Sequence, residues 1–133
     1  MSTRETILAA VATTLAGVAG GRVYRTRREQ LPTLPAVIVE PQSESAEETV
    51  LGLTDRRLSV GIQVLAKGDT PDNALDATLA AVWAALAPAN ALGLGSEVQI
   101  EPAHEIDWDT EDYDYGRATL RVTVLYRTAT GSM

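Results

Sequence analysis

The chain has 133 residues, of which 45% are hydrophobic, and a formal net charge of −7 at pH 7. That length and apolar content suit a single domain with its own core, spanning residues 1–133. The absence of cysteine excludes disulfides and thiolate metal sites, and the negative charge disfavours an ordinary duplex-DNA binder, which must neutralise phosphates.

Neither a membrane span nor a signal peptide is predicted. No apolar run reaches the roughly 18–20 residues that a helix needs to cross a bilayer. Glu5 and two threonines interrupt the N-terminal stretch, which therefore lacks the features of a secretory signal. We expect a soluble cytosolic protein that has no membrane partner.

The first predicted element is a helix from about Thr3 to Ala16. Ser2 and Glu5 have the spacing of a capping box, which satisfies free backbone N–H groups at a helix start. Apolar residues then recur at helical intervals; they are Ile7, Leu8, Val11, Leu15 and Val18. The segment after this helix is basic and contains Arg22, Arg25, Arg27 and Arg28 around Val23 and Tyr24.

The middle of the chain predicts two strands and a second helix. Leu34 to Pro41 is a β-branched run bracketed by prolines, which predicts a short strand that is apolar on both faces. Gln42 to Glu48 is polar and is predicted to be a mobile loop. Arg56 to Ala66 alternates apolar and polar residues, as a strand with one buried face does. Pro71 has the character of a first helical position, and Pro88 ends the helix that follows.

The C-terminal third carries the clearest pattern. From Gly116 to Thr128 the side chains alternate in character almost without a break, and Leu125 is the exception. Glu97 to Trp108 alternates in the same way and is acidic on its polar side. We expect an antiparallel hairpin centred near Asp112, because a slip of one residue would turn the apolar side chains outward. The expected charge pairs are Arg117 with Asp107, Arg127 with Glu97, and Arg121 between Glu101 and Glu105.

These elements predict an α+β domain. Its sheet is mainly antiparallel or mixed, and two helices pack on one face to cover the apolar side chains.

The acidic residues near the C-terminal turn suggest a divalent-cation site. Yet the EF-hand spacing fails, because Asp112 stands sixth from Asp107, where that loop needs glycine. His104 is the single histidine, and no neighbouring motif makes it a base or a ligand. Phosphate-loop and serine-nucleophile motifs are missing as well. We predict a protein without catalytic residues, metal or cofactor, and keep as an alternative a small metal-dependent hydrolase that uses Asp107, Asp109 and Glu111.

A basic and an acidic segment lie near opposite ends of the sequence. Complementary charges favour docking, and identical copies joined head to tail close into a ring where the rotation allows it. We therefore expect these segments to meet between copies. The candidate interface residues are Arg22, Arg25, Arg27, Arg28, Asp107, Asp109, Glu111, Asp112 and Asp114.

The order of segments and several local phrases resemble the tail terminator proteins of long-tailed bacteriophages, the group typified by minor tail protein U. The resemblance covers essentially the full chain and includes no catalytic signature. Its phrases are Arg25-Thr26-Arg27 before Leu34-Pro35-Ala36-Val37-Ile38-Val39, then Arg57-Leu58-Ser59-Val60, Leu75-Asp76, Asp109-Thr110-Glu111 and Val124-Leu125-Tyr126-Arg127-Thr128.

The resemblance implies a hexameric ring that sits on the end of a finished tail tube, stops its polymerisation and presents a surface to the head. The implied partners are further copies of the chain, the tail tube protein and a head-completion protein, without a membrane or sequence-specific nucleic acid. The implied location is the virion tail and, during assembly, the bacterial host cytoplasm. Gln42 to Leu53 and Asp109 to Tyr115 are expected to be loops that order on docking. The alternative is another phage neck, head–tail joining or tail-completion protein.

Overall fold

The computed structural model describes residues 3–18, 23–25, 36–50, 52–67, 71–88, 90–94, 98–101, 105–112 and 115–129. Two helices and six strands lie within these ranges. The helices are α1 (Thr3–Thr14) and α2 (Pro71–Leu86). The strands are β1 (Val23–Tyr24), β2 (Ala36–Val50), β3 (Leu53–Lys67), β4 (Gln99–Ile100), β5 (Glu105–Asp112) and β6 (Tyr115–Ala129).

The six strands form one mixed sheet. Its order is β1-β2-β3-β6, and both β4 and β5 pair with β6 at the far edge. β1 runs parallel to β2, whereas the other pairs are antiparallel. The predicted α+β class is therefore confirmed. Neither described helix combines the length and apolar character that a membrane span requires.

Both helices cover the same face of this sheet, as predicted. α1 packs on β2, and α2 packs on β3 and β6. The predicted stripe of α1 is buried at Ile7, Leu8, Val11 and Leu15, and Val18 packs against the core from its side. In α2, Leu75, Leu79, Val82 and Leu86 are buried, whereas Trp83 stays 39% exposed.

The alternation in β3 and β6 predicted the buried face correctly. The register aligns Val60 with Val122 and Val64 with Ala118, so the two apolar rows lie side by side beneath the helices. Burying each valine, leucine or isoleucine of these rows contributes about 1.5–3 kcal/mol. The buried residues of these strands are Leu58, Val60, Ile62, Val64, Ala118, Leu120, Val122, Val124 and Tyr126.

The prediction of a mobile loop from Gln42 to Glu48 is wrong. β2 continues through this segment to Val50 and pairs with the start of β3. The chain then reverses at Gly52, whose φ of 82° lies in the left-handed region that glycine adopts without strain. The wider expectation of a loop from Gln42 to Leu53 fails for the same reason.

A register shift between Pro41 and Ser43 explains why the sequence of β2 shows no regular alternation of apolar and polar residues. An extra residue in one strand exchanges its two faces, so even-numbered positions after Gln42 point toward the helices. Gly61 leaves room for the Gln42 side chain at this bulge, because a Cβ atom there would lie 2.5 Å from Gln42 Nε2. The polar residues of the segment therefore belong to a strand whose parity changes midway.

The C-terminal hairpin forms, but its predicted register is only partly right. Arg117 lies opposite Asp109 and not opposite Asp107, which is a shift of two residues. An even shift keeps every side chain on its face. Glu97 to Trp108 is not one strand, since β4 and β5 pair separately with β6. The backbone of residues 109–112 belongs to β5, so the expected loop from Asp109 to Tyr115 is wrong for these positions.

We expect two leucines of β6 to differ sharply in their effect on stability. Leu120 is fully buried, whereas Leu125, the exception to the alternation, is half-buried. Leu120→Ala should lower the free energy of unfolding by about 2–5 kcal/mol through lost burial and a cavity. Leu125→Ala is the matched control and should cost less than half as much. Urea denaturation measures both, and equal losses would contradict the assignment of faces.

Candidate protein-docking surfaces

The sheet face opposite to the helices is lined with ion pairs between strands, one of which, Arg57–Glu101, reaches across β6. Arg57 Nη2 lies 2.5 Å from Glu101 Oε1, at the junction after β4. Arg127 Nε lies 2.5 Å from Asp55 Oδ1, between β6 and β3. Because these groups are partly exposed, each pair contributes only about 0–1 kcal/mol. This face therefore carries alternating positive and negative side chains. Each pair can be exchanged for another partner at a low cost in free energy.

Arg121 joins β6 to β5 on this same face. Its Nη2 atom lies 2.7 Å from Asp107 Oδ2, and its Nη1 atom lies 3.8 Å from Glu105 Oε1. The predicted contact between Arg121 and Glu105 is confirmed. The expected contact with Glu101 is wrong, because that carboxylate binds Arg57.

A half-buried carboxylate, Glu44, ties four elements together on the helix side. Arg4 of α1 reaches it with Nε at 3.2 Å and Nη2 at 2.5 Å. Arg56 of β3 donates from Nη1 at 3.0 Å, and the hydroxyl of Tyr126 in β6 donates to Oε1. Arg56 Nε also donates to Thr128 Oγ1 at 3.0 Å. These contacts hold the polar half of β2 against α1.

The surroundings of this carboxylate set its charge. Burial alone would raise the pKa of Glu44, but hydrogen bonds donated by Arg4, Tyr126 and Arg56 outweigh burial, so that its pKa is lowered. Burial, followed by the nearby Glu44 carboxylate, raises the pKa of Tyr126 to about 12. The cluster therefore keeps a charged carboxylate and a neutral phenol at neutral pH.

Sequence reasoning missed this cluster. Glu44 lies within the segment predicted to be a mobile loop, where a fixed partner is not expected. The available signal was Tyr126, which has the parity of the buried row in β6. A buried tyrosine hydroxyl needs a hydrogen-bond partner, and an acidic residue on a neighbouring strand is a natural candidate.

Next to the Glu44 cluster, an open groove of about 800 Å³ is lined by β2, β3 and β6. The register stacks its lining into three rows across β2, β3 and β6. Two of these rows point away from the helices, and the middle row points toward them, so both faces of the sheet contribute to the groove. The rows are Ser45, Arg57 and Leu125, then Ala46, Arg56 and Tyr126, then Glu47, Asp55 and Arg127.

The predicted basic residues are only partly described. Arg25 follows β1 at one edge of the sheet, where its Nη1 atom lies 3.0 Å from Glu5 Oε1. Arg22, Arg27 and Arg28 lie outside the described residues. Because the pair with Glu5 is exposed, it binds Arg25 weakly. A role for these arginines in an interface stays a prediction.

The predicted acidic residues fall on the opposite edge of the sheet. The backbone of β5 contains Asp107, Asp109, Glu111 and Asp112. Asp114 and His104 lie outside the described residues. β5 carries five carboxylates and no basic residue. The two charged segments of the sequence are therefore attached to opposite edges of one sheet.

Within the described part of the chain, no three histidine, aspartate or glutamate side chains come together in an arrangement that could hold a metal ion. The carboxylates of Glu44, Asp55 and Glu101 accept hydrogen bonds or form ion pairs with arginines. In the described structure these groups therefore form charge pairs within the chain.

Neither the protein-family models nor the curated proteins contain a match to the chain. Among solved structures, it is similar to a chain of the virion of a native gene transfer agent particle, with a TM-score of 0.67 and 19% sequence identity. The match covers 94% of this chain and 97% of that chain. At this identity the similarity establishes a shared fold across nearly the whole length of both.

The Glu44 cluster predicts an acid-dependent loss of stability. Because the pKa of Glu44 in the fold lies below its ordinary value of 4.5, the carboxylate stabilises the fold above that pH and stops doing so as the pH falls through the lowered pKa. Glu44→Gln should lower the free energy of unfolding by about 1–3 kcal/mol at pH 7.

This difference from the unmodified protein should shrink in urea denaturation below pH 4.5, where the ordinary carboxyl is already protonated. Glu47→Gln, at an exposed position of the same strand, is the control and should change little. A Glu44→Gln deficit that is independent of pH would reject the charged network.

Proposed function

We propose that the protein is a structural component of a phage-like virion and acts as a tail terminator. In this role it caps the tail tube as a ring, stops tube polymerisation and forms the surface to which the head attaches. The observation that carries the proposal is the similarity, over almost the entire chain, to a chain of a gene transfer agent virion. The sequence phrases that resemble phage tail terminators lead to the same class of protein by a separate route.

The arrangement of charge supports assembly from identical copies. Arg25 lies at the β1 edge of the sheet, and the acidic strand β5 forms the other edge. Opposite edges of one molecule point in different directions, so a basic edge meets an acidic edge only between copies. Such a head-to-tail contact generates a closed ring when the rotation per copy divides a full turn.

The ion-paired face supports docking to a second kind of protein. Arg57, Arg121 and Arg127 present guanidinium groups that are each about half exposed and engaged in weak pairs. A partner with its own alternating charges can exchange these pairs while keeping every charge matched. We assign this face to contacts along the tail axis, and propose that the protein works by binding and not by catalysis.

The phenotype of a null mutant tests the proposal. Particles assembled without this protein should carry tails longer than normal, because tube polymerisation has lost its stop. Electron microscopy of the lysate gives the distribution of tail lengths. Free tails of normal length beside full heads would instead indicate a head–tail joining protein and would contradict termination.

Charge reversal at Arg25 tests the basic edge. Arg25→Glu should weaken association between copies at least about tenfold, equivalent to about 1.4 kcal/mol, since attraction to the acidic edge becomes repulsion. Light scattering over a concentration series, with and without isolated tail tubes, measures association. Glu5→Gln removes the pair within the chain but leaves Arg25 in place, and it should assemble normally. If Arg25→Glu assembles as well as Glu5→Gln, the basic edge has no part in assembly.

A further inference from the structure

Trp108 is the most exposed large apolar side chain in the described part of the chain, at 55%, followed by Trp83 at 39%. It lies in β5 opposite Ala118, which is fully buried. By that register Trp108 points to the face that the helices cover. α2 packs on β3 and β6. Trp108 lies on the next strand, β5, where more than half of its side chain remains exposed.

The strand that carries Trp108 has an open side. In the described part of the sheet, β5 hydrogen-bonds to β6 on one side and to no strand on the other. An edge of this kind presents backbone N–H and C=O groups that can pair with another chain. Glu105 and Asp107 are exposed next to it. The edge therefore combines backbone hydrogen-bonding groups, negative charge and an uncovered aromatic ring.

Charge decides which partner fits this edge. β5 has five carboxylates and no base, so two β5 edges repel each other. The β1 edge has the opposite character, because Arg25 follows Tyr24 directly. The complementary surface for a β5 edge is thus the β1 edge of a second copy.

We propose that Trp108 is the apolar anchor of a contact in which the β5 edge of one copy receives the β1 edge of the next. This inference rests on the proposed ring and names the side chain that stabilises it. Tryptophan is enriched among the residues that dominate binding energy, and the weaker contacts that surround such a residue exclude water from it. The charge of Arg25 then favours this partner and orientation, and Trp108 slows dissociation.

Engineered disulfides test this contact, because the chain contains no cysteine of its own. Tyr24→Cys and Glu105→Cys are made in separate molecules and mixed under oxidising conditions. β2, β3 and β6 separate these edges within one molecule by roughly 19 Å at about 4.8 Å per strand. A disulfide needs Cα atoms within about 7 Å, so a bridge between the two positions forms only between copies.

We expect a mixed disulfide dimer from the two variants together and little dimer from either one alone. Adding Trp108→Ala to the Glu105→Cys molecule should lower the yield at least about tenfold, the change that about 1.4 kcal/mol produces. Trp83→Ala is the matched control and should leave the yield unchanged. Thermal unfolding of each variant verifies that the fold is retained, as an exposed position predicts.

Other outcomes separate this inference from the proposed function. A mixed dimer that forms equally well without Trp108 would overturn its role as anchor while leaving the ring intact. Disulfide dimers formed by the Glu105→Cys variant alone would indicate a symmetric contact between two β5 edges and would overturn this inference. The absence of any mixed dimer, on tail tubes that the protein still caps, would overturn this contact alone. Uncapped tubes and normal tails in the null mutant would remove the tail-terminator proposal and this inference together.

Discussion

The pairing of β3 with β6 is the constraint on which the rest of the molecule depends. Its register places the apolar rows of the two strands side by side, where both helices can cover them. The same register sends Arg57, Arg121 and Arg127 to the opposite face, where each finds a carboxylate. Because side chains alternate with a period of two, one choice of register fixes both the core and the charged surface.

The second constraint is the bulge in β2 and the carboxylate that follows it. Without the extra residue, Glu44 would point to the solvent face and Arg4, Arg56 and Tyr126 would lose their common partner. Because of the bulge, the polar segment that contains Glu44 contacts α1 through Arg4. It also positions the groove, since the rows that line it begin just beyond Glu44.

The two faces and the two edges of the sheet differ in what they contribute to the molecule. One face is closed by helices and supplies stability. The other carries weak ion pairs that suit exchange with a partner, and the edges carry opposite charge. A protein built in this way presents charged surfaces in several directions, which suits the proposed contacts with identical copies and other virion components.

Much of this fold was predictable because buried apolar residues recur at regular intervals in the sequence. The alternation in β6 and the helical spacing in α1 predicted the correct elements and faces, and Pro71 and Pro88 predicted the position of α2. Three features escaped prediction for physical reasons. A bulge exchanges the faces within a strand, so the second half of β2 looked irregular. Cross-strand ion pairs are too weak to fix a register within two residues, so Arg117 was assigned the wrong partner. The Glu44 cluster depends on contacts between residues as far apart as Glu44 and Tyr126, which only the folded sheet brings together.

Electron microscopy of the purified protein incubated with isolated tail tubes shows directly where the protein binds. A tail terminator should appear as ring-shaped density at one end of each tube, with none along its length. Protein that leaves both tube ends bare, or that decorates the whole tube, would contradict the tail-terminator proposal.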